Sequence, residues 1–372
     1  MDRSKNGHAA LRIAAALATA LLALAGCTGT AEQAKKEEPT DLVWPLPPDP
    51  PRIKYVGSYR FRKDVEAGDK LSAVDLLLGK KEGLGESLRK PYGVHADRDG
   101  RIFVTDVGWG KVVVFDPKNR KFEFWGQAGR GVLGLPIGVT SDSTGRVYVT
   151  DASQGRVVVF DRNGEFVAAM GKKGELERPA GIAIDEDRQR VYVVDTYKHH
   201  IAVFDLGGRL ISTIGARGTA PAQFNFPTNL TVGPEGRLYV MDSMNFRVQI
   251  LDPDGKAISA FGENGRNPGQ FARGKGIALD SEGHIYVVDA AFNNFQVFDP
   301  DGRLLLFIGS NGRNPGEFWL PAGAYIDNED RIYVADQYNF RIQVFQYLGE
   351  RAADAPAPQS VTAETPAEPP SQ

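Results

Sequence analysis

Between residues 90 and 348 short apolar runs alternate with clusters of Asp, Asn, Gly and Pro. The alternation has a long period, and six segments superimpose on it: "GRIFVTDVGWGKVVVFD", "GRVYVTDASQGRVVVFD", "QRVYVVDTYKHHIAVFD", "GRLYVMDSMNFRVQILD", "GHIYVVDAAFNNFQVFD" and "DRIYVADQYNFRIQVFQ". The Asp that closes the first run of each falls at Asp106, Asp151, Asp195, Asp242, Asp289 and Asp336, so successive units are 45, 44, 47, 47 and 47 residues apart. The runs are five or six residues long, rich in Val, Ile, Tyr and Phe, and bounded by turn formers, which predicts strands and tight turns.

Each unit divides into four strands. In the fifth these are "GKGIALD", "HIYVVD", "FQVFD" and "RLLLFIG", separated by "SEG", "AAFNN" and "PDG". A sheet of four short strands cannot bury both faces alone. Units at this spacing solve the problem by packing radially as propeller blades. The predicted fold class is therefore all-β: a six-bladed β-propeller of four-stranded antiparallel blades. The Pro-x-Gly-Ile preceding a first strand, the Gly-Arg-Ile/Val-Tyr-Val-x-Asp and the Asn-x-Arg-Ile/Val-x-Val-Phe of "YVADQYNFRIQVF" closely resemble the NHL-repeat family of six-bladed propellers. The resemblance covers residues 52–348. It implies the fold strongly and the function weakly, because one propeller scaffold hosts unrelated activities.

The sixth unit ends after its third strand, where Ala, Pro and Glu follow. An unassigned strand-like stretch, "PRIKYVGSYRF" at 51–61, precedes the first unit. It is expected to pair with residues 342–347 as the fourth strand of blade 6, closing the ring and covering an open edge. Residues 62–89 then connect to blade 1, and "LSAVDLLLG" within them reads as one or two helical turns ending at Gly79.

The repeat also works as an internal alignment. The six Asp residues recur in every unit, which points to a structural ring rather than a calcium site. A basic residue follows five positions later in four blades (Lys111, Arg156, Arg247, Arg341) and is expected to pair with the Asp. The loops between second and third strands share one face, the top, with the connections between blades. Two and three residues past each Asp these loops carry Trp109, Tyr197, Met244, Phe292 and Tyr338, candidates for a binding surface. His199, Phe246 and Phe340 read as structural. Where a first strand begins, Tyr92, Asn229, Arg273 and Lys275 depart from the repeat and are candidate contacts for an anion or peptide.

The ends suggest a compartment. Arg3, Lys5 and Arg12 precede an apolar run at 13–23, and "LAGC" closes the segment at Cys27. This resembles a bacterial lipobox, which implies a signal peptide at 1–26, a lipidated Cys27 and a cell-envelope location. Residues 27–50 read as a Pro-rich tether, 51–349 as the propeller and 350–372 as an Ala/Pro/Glu tail. Cys27 is the only cysteine, so the folded part has no intramolecular disulfide and no Cys-based metal or haem site. The net charge of −3 falls to about −5 without the first 26 residues, and no basic face suited to nucleic acid is apparent.

Some propellers related to this resemblance are metal-dependent lyases or hydrolases. Here His284 reads as a bottom residue, His95 sits in the first strand of blade 1, and the adjacent His199 and His200 point opposite ways, so no three are expected to converge. No Gly-x-Ser-x-Gly elbow, phosphate loop or haem motif occurs. The expected function is a monomeric, lipid-anchored interaction module for an envelope protein, peptide or glycan. A channel lyase or hydrolase with Ca²⁺ or Zn²⁺ is the alternative, and no cofactor is expected for the module.

Overall fold

A computed structural model of the chain describes residues 42–46, 48–66 and 86–349. The expected signal segment, Cys27, the helical turns at 71–79 and the tail at 350–372 lie outside the described residues.

Six sheets are arranged as blades, five of four strands and one of five. Blade 1 comprises Pro91–Ala96, Ile102–Asp106, Lys111–Asp116 and Lys121–Trp125, each antiparallel to the next. The other blades repeat this order. Second and third strands are buried along nearly their whole length, for example Ile102–Asp106 and Val147–Asp151, because each is sandwiched between two neighbouring sheets. That is why they read as continuous apolar runs. Fourth strands such as Phe166–Met170 and Leu210–Ile214 bury only their last residue.

The ring closes as the unfinished sixth unit requires. Strand Ile53–Tyr59 pairs antiparallel with Arg341–Tyr347, from Ile53 opposite Tyr347 to Tyr59 opposite Ile342. Ile53 is buried, and Tyr55 meets Phe345 edge-on at 5.5 Å. Within the stretch expected as tether, two described residues form a strand. Val43–Trp44 adds a fifth strand beside Ile53 and Lys54, and Trp44 packs on Phe345 at 5.8 Å. A Pro-rich composition hid a two-residue strand, held by main-chain bonds from Arg52 N to Trp44 O and from Tyr55 N to Leu42 O and by the Trp44 ring on Phe345.

The inner strands approach one another closely. A Cβ at Gly93, Gly138 or Gly323 would collide with the main-chain oxygen of Ile137, Ala180 or Tyr92 in the next blade. Hydroxyls tie the same strands together: Thr105 Oγ1 donates to Ile137 O at 2.7 Å, and Thr150 Oγ1 to Ala180 O at 2.7 Å.

Candidate functional site

The Asp ring lies just beneath the top face, fully buried. Each carboxylate accepts main-chain N–H groups from the connection leading into its own blade. Asp106 receives Arg89 N at 2.7 Å and Lys90 N at 3.0 Å, and also Gly108 and Trp109 N at 2.9 and 3.0 Å. Asp151 receives Gly134 and Leu135, Asp195 receives Glu177 and Arg178, and Asp289 receives Ala272 and Arg273. Asp242 and Asp336 receive Asn225 and Trp319. The ring is a set of clamps holding the top loops, its oxygens bound to main-chain N–H groups and, at Asp151, Asp242 and Asp336, to side chains as well. Burial pushes the Asp106 and Asp336 carboxyls up, against the lowering effect of those N–H donors.

The expected pairing with a basic residue five positions on occurs in two blades of the four. Arg247 Nε reaches Asp242 at 2.9 Å and Arg341 Nε reaches Asp336 at 2.8 Å. Arg156 instead donates to Val132 O at 2.9 Å, and Lys111 Nζ donates to Gln127 at 3.2 Å and lies over the Trp109 and Phe124 rings. In those blades Gly108 and Trp109 N, or the side chains of Ser153 and Gln154, already fill the carboxylate.

The residue four positions after each Asp adopts a left-handed conformation, at Gly110, Gly155, His199, Phe246, Asn293 and Phe340. His199, Phe246 and Phe340 thus carry the turn itself, and His199 Nδ1 accepts Phe226 N at 3.0 Å.

The five loop candidates divide. Tyr197, Met244 and Tyr338 are exposed, at 50%, 51% and 37%. Phe292 is half-buried. Trp109 is also half-buried: its Nε1 donates to Ser87 O at 2.7 Å and the Arg89 guanidinium lies 3.4 Å from its ring centre. Two aromatics not foreseen stand in the connections between blades. Phe226 meets Tyr197 edge-on at 6.2 Å, and Trp319 lies 5.9 Å from Tyr338. Both precede a first strand, in "NFPTN" and "WLPAG", where the repeat was read for its Pro-x-Gly pattern and not for its apolar neighbours.

Of these rings Tyr338 lines the mouth of the central channel; the others stand on the top loops and connections outside it. The mouth is a cavity of 410 Å³ lined by Lys90, Arg178, Arg273 and Lys275 over a wall that includes Leu135 and Leu320. Below it the channel, 560 Å³, is lined by all six first strands and ends near Asp280, Asp327 and Asp330. Tyr92 and Lys275 line both spaces, and Lys275 Nζ donates to Tyr92 Oη at 3.2 Å, bridging blade 5 to blade 1. Of the four rim candidates, Tyr92, Arg273 and Lys275 line the mouth. Asn229 lines the channel below, and its Oδ1 accepts Leu230 N at 2.9 Å.

In the channel wall His95 Nε2 lies 2.8 Å from Ser141 Oγ, with the Tyr325 ring 4.3 Å away. Burial drives its pKa down to about 3. Above about pH 7.5 the imidazole is neutral in both folded and unfolded chains and contributes nothing to pH dependence. Below its unfolded value of about 6.5 only the unfolded chain takes up the proton, so stability falls by up to about 1.4 kcal/mol per pH unit toward pH 3. Replacing His95 by Gln is expected to flatten the stability-against-pH curve between pH 6.5 and 4 in urea titrations. An unchanged slope would show that His95 gains a proton in the folded chain.

Among the described residues no three His, Cys, Asp or Glu side chains converge on a metal position. His199 is spent on Phe226, and His284 Nδ1 on Asp280 at 2.8 Å at the bottom. Among the described residues, then, no donor set for a channel Zn²⁺ or Ca²⁺ is assembled.

A family model described as "6-bladed beta-propeller" matches residues 136–217 and 279–364. The chain is a six-bladed β-propeller. No curated protein matches it significantly. Among solved structures this propeller is similar to an auxiliary nutrient binding protein from Bacteroides thetaiotaomicron, at TM-score 0.57 and 12% identity over 70% of this chain and 69% of that one. It is similar to a protein of unknown function from the same organism, at 0.55 and 16% over 71% of each. It is also similar to virginiamycin B lyase from Staphylococcus aureus, at 0.52 and 13% over 69% of this chain and 94% of that one. At these identities the likeness is one of fold.

Proposed function

We propose that the propeller is an interaction module, exported and lipid-anchored through Cys27, that binds an envelope protein or peptide on its top face. One observation carries this reading. Tyr197, Phe226, Met244, Trp319, Tyr338 and Phe340 are large, at least 37% exposed, and set on the top loops and connections. Large aromatic side chains offer contact area at low entropic cost and dominate binding surfaces. The fold is shared by a binding protein and a lyase and does not choose between them. The absent donor set among the described residues weighs against a metal-dependent lyase or hydrolase.

Changing Tyr197, Trp319 and Tyr338 together to Ala tests the reading. The full chain, cross-linked in envelope extract, is expected to lose its partner proteins by at least tenfold while its melting temperature holds within a few degrees. An unchanged partner set would end the proposal, and retention on purified envelope glycan alone would replace a protein partner by a sugar.

A further inference from the structure

The charge of the mouth is not explained by folding. The residue just before each first strand is Lys90, Leu135, Arg178, Phe226, Arg273 and Leu320 in blades 1 to 6. Cations thus stand in alternate blades, and Lys275 adds a fourth. The main-chain N–H of Lys90, Arg178 and Arg273 serves the Asp clamp. Leu135 N makes the same bond to Asp151 at 3.0 Å, so the clamp needs no cation at this position.

Nor, among the described residues, does a carboxylate pair with these cations where they stand. On the bottom turns, guanidinium groups meet carboxylates: Arg101 with Asp97, Arg303 with Asp299 and Arg331 with Asp327, each at 2.8 Å. Among the described residues lining the mouth there is no Asp or Glu. Lys90 lies over the Tyr338 ring at 5.4 Å and Arg178 over Tyr197 at 5.2 Å, while Lys275 has the Tyr92 hydroxyl. Rings and a phenol position a cation without cancelling its charge. The clamp carboxylates lie behind the rim, buried, with their oxygens on the main chain. Four cations around one cavity repel each other, and an anion entering it relieves that repulsion.

We infer that the mouth is the anion-recognition element of the binding face, and that its ligand is an acidic peptide segment. This rests on the interaction-module reading and gives its partner a chemistry. A volume of 410 Å³ accommodates a few acidic side chains. Leu135, Ile137, Pro179, Leu320 and Pro321 receive their apolar stems, and the aromatics of the top loops, of which Tyr338 lines the cavity, receive the flanking chain. The cations come from three blades on different sides of the mouth, which suits carboxylates spaced along a chain better than one compact ion.

The probe is fluorescein-labelled tetraglutamate, with tetraserine as control and sodium phosphate as competitor, added to the full chain in neutral detergent. Tetraglutamate is expected to bind in a salt-dependent manner and tetraserine not to bind. Arg178→Gln and Arg273→Gln are each expected to weaken binding about tenfold, and the double variant about a hundredfold, with melting temperatures unchanged. Lys275→Met, which spares the exposed rim, is expected to weaken it similarly. Absence of tetraglutamate binding, or equal affinity in the double variant, overturns the inference. Displacement by phosphate at concentrations equal to the peptide's also overturns it, in favour of a free-anion site. If tetraglutamate fails while the Tyr197, Trp319 and Tyr338 variant still loses its partners, the module stands without the anion site. If tetraglutamate binds and that variant keeps its partners, the reverse holds.

Discussion

Removing residues 51–61 from the full chain is expected to destabilise the propeller by more than about 5 kcal/mol, a large part of the roughly 5–15 kcal/mol typical of folded proteins. Loss of a buried Ile side chain such as Ile53 costs about 2–5 kcal/mol on its own. The deletion also removes the ring contacts of Tyr55 with Phe345 and of Tyr59 with Phe115, both at 5.5 Å, and frees Trp44 from its strand partner. Each aromatic pair adds about 0.5–1.5 kcal/mol beyond its burial. Differential scanning calorimetry should show a fall of more than about 10 °C, at roughly 2 °C or more per kcal/mol for a domain of this size. The exposed edge of Arg341–Tyr347 should then promote aggregation. A melting temperature within about 2 °C of the parent would mean that the strand is an appendage. Ile53→Ala separates the two contributions, with an expected loss of about 2–5 kcal/mol and no new edge.

The second large effect is expected at Asp336→Ala. This carboxylate is buried and holds Trp319 N, Asn339 Nδ2 and Arg341 Nε, each at 2.8 Å, and Gln343 Nε2 at 3.1 Å. Removing it leaves a guanidinium and two amide groups partly buried around a vacated position. Breaking a buried ion pair from one side costs about 3–5 kcal/mol, readable as a lower urea midpoint at unchanged slope. Lys111→Met, at the blade 1 position that corresponds to Arg341, is expected to change stability by no more than about 0.5 kcal/mol, since Lys111 makes no ion pair with Asp106. Equal losses from the two variants would refute the distinction drawn between the blades.

Blade count, strand order and ring closure were legible because they rest on local signals repeated six times. The second and third strands announce themselves by burial on both faces, and the missing outer strand of blade 6 pointed to 51–61. The partners of the clamps were less legible. Gln249, Gln296 and Gln343 each donate to a main-chain oxygen of the incoming connection, at Gln223, Gln270 and Glu317. They occur in the three blades whose spacing is 47 rather than 44 or 45, a signal available in the repeat lengths but meaningful only once the longer connections are seen to need a tie. Side-chain competition decided which basic residue met its Asp, and spacing carries no information about that.

The aromatic face shows the same division. Tyr197, Met244 and Tyr338 stand two residues past their Asp and are exposed, whereas Trp109 stands three past its Asp and is held under Arg89 and against Ser87. The repeat carries a residue's place in its loop; the partners that cover a ring come only with the folded connection. The same holds for the mouth. Lys90, Arg178 and Arg273 lie about ninety residues apart along the chain and mark no motif. They become one charged cavity because six first strands converge on a common axis, and Lys275 meets Tyr92 across it although 183 residues separate them. Architecture follows from contacts within each repeat, which recur locally along the chain. The chemistry of the binding face arises from contacts between repeats, which exist only after the ring has closed.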